Sequence, residues 1–258
     1  MINRVFAVFV IAMALMFYPE TGGAAAQPEM FPEGPDMQRA GLTPNYPADR
    51  NCSPLTSLYM SWIDVDGSAR DEPHSGVDGG RLGDAILAPA AGVVVAAWRA
   101  DWSWGPEGAL LIRHDRSDLG LQDGPSHYYS EFDHLRVSDI RSFAVGQRIK
   151  RGQILTTVFR PGGKRRYPPE VHWEVWTIDD PTATEWQENE FGRPYWVNKT
   201  GHLIDPLSML ALNAPPRTDG SVDIPAFERG RDYRDFRGFT YILPCRKKKI
   251  GRATPRSK

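Results

Sequence analysis

The chain of 258 residues has two cysteines, Cys52 and Cys245, and six histidines. So few thiols exclude the cysteine-rich cages of structural zinc domains, which surround one ion with several thiolates. Neither sign of charge is in excess: 31 basic residues face 32 acidic ones, so the chain as a whole has no nucleic-acid or membrane-surface signature. Long hydrophobic runs are scarce as well. The exception, Val5 to Tyr18, follows Arg4 and leads to Ala24-Ala25-Ala26, the order of a secretory signal peptide over residues 1–26. It is short for a bilayer span, so the expectation is cleavage near Ala26, export to the periplasm or beyond, and no transmembrane segment in the mature chain. About 232 residues then remain, room for one domain with extensions.

Export changes the reading of the cysteines, since an oxidising compartment favours a Cys52–Cys245 disulfide joining the segment before the core to the one after it. Two free buried thiols are the alternative. Residues 246–258 carry seven basic residues and no acidic one. A solvated tail is the plain expectation, and attraction to anionic envelope polymers or lipid headgroups the sharper one.

Residues 27–54 are rich in Pro, Gly, Asn and Asp and read as an extended lead-in. From about residue 55 the pattern changes to short apolar runs between Gly, Pro and Asp turns. Residues 86–89, 92–98, 109–113, 153–159 and 171–178 have strand length and strand residues, which predicts an all-β core. Two turn signals, Val145-Gly146 and Arg151-Gly152, bracket a short hairpin-like arm. Residues 179–197 read as an insertion or lid carrying Trp186, Tyr195 and Trp196, and Pro206 as the start of a short helix through Leu212, closing a domain of residues 55–212. Residues 213–258 read as a C-terminal extension, punctuated by Phe227, Phe236, Phe239 and Tyr241.

The chemistry concentrates in two places, His74-Ser-Gly-Val-Asp78 and Val171-His172-Trp173-Glu174-Val175. Two imidazoles and a carboxylate make a three-ligand metal site that leaves a position for water, the composition of catalytic rather than structural zinc. Gly76, Gly79 and Gly80 argue against a helix around Asp78. In an extended chain positions 74, 76 and 78 point to one side, as do Glu170, His172 and Glu174. Glu174, and Asp133 in the same way, could brace a ligand imidazole as hydrogen-bond acceptors. Any one of these histidines alone would more often be a packed core residue. That plain reading holds for His114 and His127, although His127-Tyr128-Tyr129 could line a groove, and His202 reads as a surface residue.

Five segments in order carry a resemblance: His74-x-x-x-Asp78, Ala88-Pro89-Ala90-x-Gly92-x-Val94, Phe132-Asp133-His134-Leu135, Val145-Gly146-Gln147-x-Ile149-x-x-Gly152-Gln153 and His172-Trp173-Glu174-Val175, with an echo at Asp205-Pro206-Leu207. Together they resemble the lysostaphin-type (LytM-like) zinc metallopeptidases that cut peptidoglycan. The resemblance implies a mainly β fold with an antiparallel β-sheet groove, one Zn2+ on His74, Asp78 and His172, and His134 beside the attacking water. Where that family has a second histidine two residues before the last ligand, this chain has Glu170. Two readings of Glu170 follow. It is a general base for the attacking water, or it is a fourth ligand that closes the site. Peptidoglycan is the implied substrate. The alternative is an inactive relative that binds peptidoglycan or regulates a cell-wall amidase or another wall hydrolase. A hammerhead carrier domain of the lipoyl type would need a modified lysine on a hairpin tip, and the sequence offers no such signature.

Overall fold

The computed structural model describes residues 41–101, 105–161, 168–189 and 192–248. The expected signal segment, the first part of the lead-in and residues 249–258 of the basic tail lie outside the described residues.

Three short strands enter the fold, β1 (Thr43–Asn45), β2 (Arg50–Cys52) and β3 (Leu55–Ser57), followed by β4 (Val77–Gly79) and β5 (Ala85–Leu87). The long strands β6 (Gly92–Arg99), β7 (Gly108–Asp115) and β8 (His127–Leu135) come next, then a single helical turn α1 (Val137–Ile140), β9 (Arg148–Ile149) and β10 (Ile154–Thr157). The central strand β11 (Val171–Ile178) precedes a hairpin of β12 (Thr184–Glu188) and β13 (Pro194–Asn198). The chain ends with β14 (Gly201–Ile204), α2 (Pro206–Leu210), β15 (Ser221–Asp223) and β16 (Cys245–Lys247). α2 starts at Pro206 because Asp205 caps it, its Oδ1 accepting the Leu207 amide at 2.8 Å.

The main sheet runs β3-β4-β11-β8-β7-β6-β9, with β14 also on β11, and its pairings are antiparallel. The fold is therefore mainly β with an antiparallel sheet, as the sequence pattern predicts. Strand alternation sorts its side chains into two faces. One face carries Leu110, Ile112, Phe132, Trp173 and Val175, each fully buried. Against it pack Phe239, Tyr241, Ile242 and Leu243 from the C-terminal segment, so that extension completes the core instead of trailing from it. It is pinned there by backbone bonds from Thr240 N to the Pro89 carbonyl (2.9 Å) and from Leu87 N to the Ile242 carbonyl (2.8 Å). Burying side chains of this size is worth about 1.5–3 kcal/mol each. The N-terminal segment joins the same body, with β1 parallel to β15 and β2 antiparallel to β16. Cys52 and Cys245 face each other across that second pair and form a disulfide, as expected. Gly152, at φ 71°, closes the turn after β9 where any Cβ would meet the Phe227 ring at about 2.1 Å.

The other face is acidic at the β4 end and aromatic at the β6 end. Tyr129, Leu111, Trp98 and Ile178 form a smaller cluster there, roofed by Trp196 of the β12–β13 hairpin. Trp196 stacks on Tyr129 with ring centres 5.8 Å apart, and Trp186 meets Trp98 edge-on at 5.4 Å. The segment read as an insertion or lid is thus a two-stranded hairpin anchored on the open face of the sheet.

This core sets two stability expectations. Replacing Cys52 with serine should cost roughly 2–5 kcal/mol, because the bond closes a loop spanning nearly the whole domain, and denaturant titration of the two proteins would measure it. His114, buried and hydrogen-bonded through Nδ1 to the Ala91 carbonyl and through Nε2 to Ser130, is pushed down by burial to about 4. The unfolded chain takes up its proton near 6.5, so this stabilisation is complete above pH 6.5 and is lost as pH falls toward 4, by up to about 3 kcal/mol. Stability measured from pH 7 to pH 4 should fall less steeply in His114→Gln than in the native protein.

Candidate metal centre

The acidic end of the open face is built by register. Asp78 on β4 lies opposite His172 on β11, and His172 lies opposite Asp133 on β8, so the three share one row and one face. Gly76 lets the β4 lead-in approach β11, since a Cβ there would meet the Trp173 carbonyl oxygen at about 2.4 Å. That approach brings His74 onto the row. His74 Nε2 is 3.1 Å from Asp78 Oδ1 and 3.0 Å from His172 Nδ1, and His172 Nδ1 is 2.8 Å from Asp78 Oδ1. Among the described residues these three form the one cluster of His, Cys, Asp and Glu side chains able to hold a metal ion, and all three are buried.

Two observations test the fit. A tetrahedral ion with bonds of about 2.0–2.1 Å keeps its ligand atoms about 3.3 Å apart, so the donor triangle needs to open by only a few tenths of an ångström. Each ligand is also held from behind, as ligated imidazoles and carboxylates usually are. His74 Nδ1 lies 3.0 Å from the Leu58 carbonyl and 3.2 Å from Ser57 Oγ. His172 Nε2 lies 3.1 Å from Glu174 Oε1, and Glu174 is itself fixed by the Trp176 indole at 2.9 Å. Arg70 donates to Asp78 Oδ2 at 3.0 Å, leaving Oδ1 for the triangle. The residues fit a three-ligand site.

Electrostatics agree with the geometry. Burial alone would raise Asp78, but His74 and His172 hold it well below the usual carboxylate range. Burial also works against charge on His172, and its hydrogen bonds to Asp78 and Glu174 overcome this and hold it well above an ordinary histidine. Burial keeps His74 below one. Beyond the row, Glu131 and Glu174 are directly paired across β8 and β11. Burial and the neighbouring Asp133 and Glu174 push Glu131 well above the carboxylate range, which relieves that like-charge contact.

His134 and Glu170 flank the triangle. His134 sits at a bulge, where Gly108 pairs with Leu135 but Leu110 pairs with Phe132, so β8 carries one residue more than β7. Its φ is 58°, and the extra residue returns Leu135 to the core face while His134 turns toward the ligands, its ring 6.1 Å from that of His172. Its Nδ1 is bonded to Glu107, a fully buried residue just before β7. Glu170, bridged to Phe159, precedes β11 by one residue and is buried. Its Oε2 has no hydrogen-bond partner among the described residues, and burial followed by the charge of Asp78 pushes it up to about 8. Glu170 lies outside the donor cluster. Of the other sequence candidates, His114 is in the core, His127 pairs with Asp115 and His202 is partly exposed, 4.0 Å from Asp179, all apart from the triangle. Glu107, Arg70 and Ser57 had no signal in the sequence, because each meets its partner only through the fold.

The sequence model of Peptidase family M23 matches residues 72–184, the stretch that holds His74, Asp78, His134, Glu170 and His172. Among solved structures, the chain is similar to LytU (19% identity, 61% of this chain and 84% of that one, TM-score 0.37). It is also similar to the catalytic domain of the antimicrobial peptidase lysostaphin from Staphylococcus simulans (18%, 62% and 90%, TM-score 0.33). A zinc-containing peptidase from Vibrio cholerae is matched over 58% of this chain and 37% of that one (22% identity, TM-score 0.31). No curated protein matches the chain. The matched stretch places His74, Asp78 and His172 at the part of the sheet formed by β4 and β11.

Metal uptake by this triangle has to displace the proton that Asp78 and Glu174 hold on His172. Apparent affinity for Zn2+ should therefore rise about tenfold per pH unit while that proton is bound. Competition against a chelator at pH 6, 7 and 8 would read this slope. His172→Ala should abolish stoichiometric binding, and a pH-independent affinity would contradict the assignment.

Proposed function

We propose that this chain is an exported zinc metalloendopeptidase that hydrolyses peptide bonds in peptidoglycan. The observation that carries this reading is the convergence of His74 Nε2, Asp78 Oδ1 and His172 Nδ1 on the open face of the sheet, each held by an outer partner, within the stretch that matches Peptidase family M23. The three residues would hold one Zn2+. When bound there, zinc supplies Lewis acidity to the scissile carbonyl and lowers the pKa of water toward neutrality.

The chain's own groups supply the rest. Glu170 Oε2 accepts a proton from the attacking water and returns it to the leaving amine. Its pKa of about 8 suits both directions near neutral pH. Its position outside the donor cluster supports this role over that of a fourth ligand. His134 donates a hydrogen bond to the developing oxyanion. Its charge suits that role, because the Glu107 hydrogen bond and the charges of Glu107 and Glu170 outweigh the lowering effect of burial and raise its pKa. The signal-like residues 1–26 and the Cys52–Cys245 disulfide support the periplasm or cell surface as its place of work.

The test is zinc stoichiometry together with release of peptides from purified peptidoglycan. The native protein should bind one zinc and release peptides. Glu170→Gln should keep its zinc and lose at least about 100-fold in rate. Undiminished hydrolysis by Glu170→Gln would remove it as the base. Zinc binding without any hydrolysis by the native protein would leave the reading of a wall-binding or regulatory relative.

A further inference from the structure

Glu107 is fully buried, and one of its oxygens has no hydrogen-bond partner among the described residues. A carboxylate in such a place is costly unless a charge or strong donor pairs with it. The other oxygen meets that need by accepting from His134 Nδ1. Its backbone is fixed on both sides, the carbonyl accepting from Ala100 N at 3.0 Å and the amide donating to Asp101 Oδ1 at 3.4 Å. The next residue, Gly108, packs on Ile140, where a Cβ would lie about 2.7 Å from that side chain, so β7 starts close against α1. Glu107 is thus held by its own backbone, independently of the histidine it contacts.

The histidine is the strained partner. A left-handed φ on a residue other than glycine costs on the order of 1 kcal/mol or more and persists where surrounding structure requires it. The bulge that imposes it turns His134 out of the core alternation and leaves its Nδ1 edge toward Glu107 and its ring toward His172. A carboxylate one position along the same extended chain would point to the opposite side, so the contact depends on this register.

We infer that Glu107 is a positioning residue for His134: it binds the Nδ1 proton and fixes the ring orientation, and so presents Nε2–H as a donor to the reacting carbonyl oxygen. The inference rests on the peptidase reading for its consequence, but the bond from His134 Nδ1 to Glu107 exists whether or not the protein cleaves anything. No bond to Glu107 forms or breaks in the reaction, and its proton stays on His134.

Long-range 1H–15N spectra of the full zinc-loaded chain distinguish a protonated from an unprotonated imidazole nitrogen, with His134→Ala identifying the signals. The expected native spectrum has His134 protonated at Nδ1. Glu107→Gln should shift that signal, keep one zinc, and lower kcat on the order of 100-fold with KM within about twofold. A native His134 protonated only at Nε2 would overturn the inference, and this arm stands even if Glu107→Gln fails to fold. Unchanged His134 signals in a folded Glu107→Gln protein would overturn it too. Absence of hydrolysis by the native protein would instead defeat the peptidase reading and leave the spectra to decide the role of Glu107.

Discussion

The register of β11 against its two neighbours is the constraint on which this molecule depends. The same pairing that sets Asp78, His172 and Asp133 in one row sets Val77, Trp173 and Phe132 in the next, facing the other way. Because strand side chains alternate, a slip of one residue would drive His172 into the core and Trp173 out of it. The packing of Trp173, stacked on Phe132 and tilted against Phe239, therefore enforces the geometry of the polar row on the opposite side. Stability and chemistry are coupled through one strand.

Concentrating carboxylates and imidazoles at one end of the sheet works because their charges are ordered. Asp78 and Glu174 bracket His172, Glu107 holds His134, and Arg70 neutralises the outer oxygen of Asp78. The carboxylates left without a cation behave differently. Glu131 and Glu170 are raised by burial first and by neighbouring negative charge second, so each takes up a proton more readily than an ordinary carboxylate. The site thus contains two populations of acids, one committed to holding histidines and one able to exchange protons.

Much of this was legible in the sequence, for identifiable reasons. Strands β6, β7 and β11 have strong β-branched and aromatic patterns bounded by turns, and these report fold class directly. The pair formed by His74 and Asp78 was readable because the glycines between and after them exclude a helix, and His172 because its strand has a clear parity. Local pattern does not reach further. His134 is a non-glycine residue in a left-handed bulge, and nothing in Phe132-Asp133-His134-Leu135 announces the extra residue. Glu107 follows Gly105-Pro106 in what reads as a turn, and its partner lies 27 residues on. The C-terminal segment read as an extension because its apolar residues are single and scattered among Pro, Gly and charges. A buried irregular segment has no period, so only the packing of Phe239 to Leu243 reveals that it is core.

That packing has a consequence for the order of events during biogenesis. The chain is made from its N-terminus, yet Trp173 and Leu87 are covered by residues 239–243, made much later, and the disulfide partner of Cys52 is Cys245. The sheet cannot be sealed until residues 239–245 have left the ribosome. Until then Trp173, which enforces the register of the polar row behind it, lacks part of its cover.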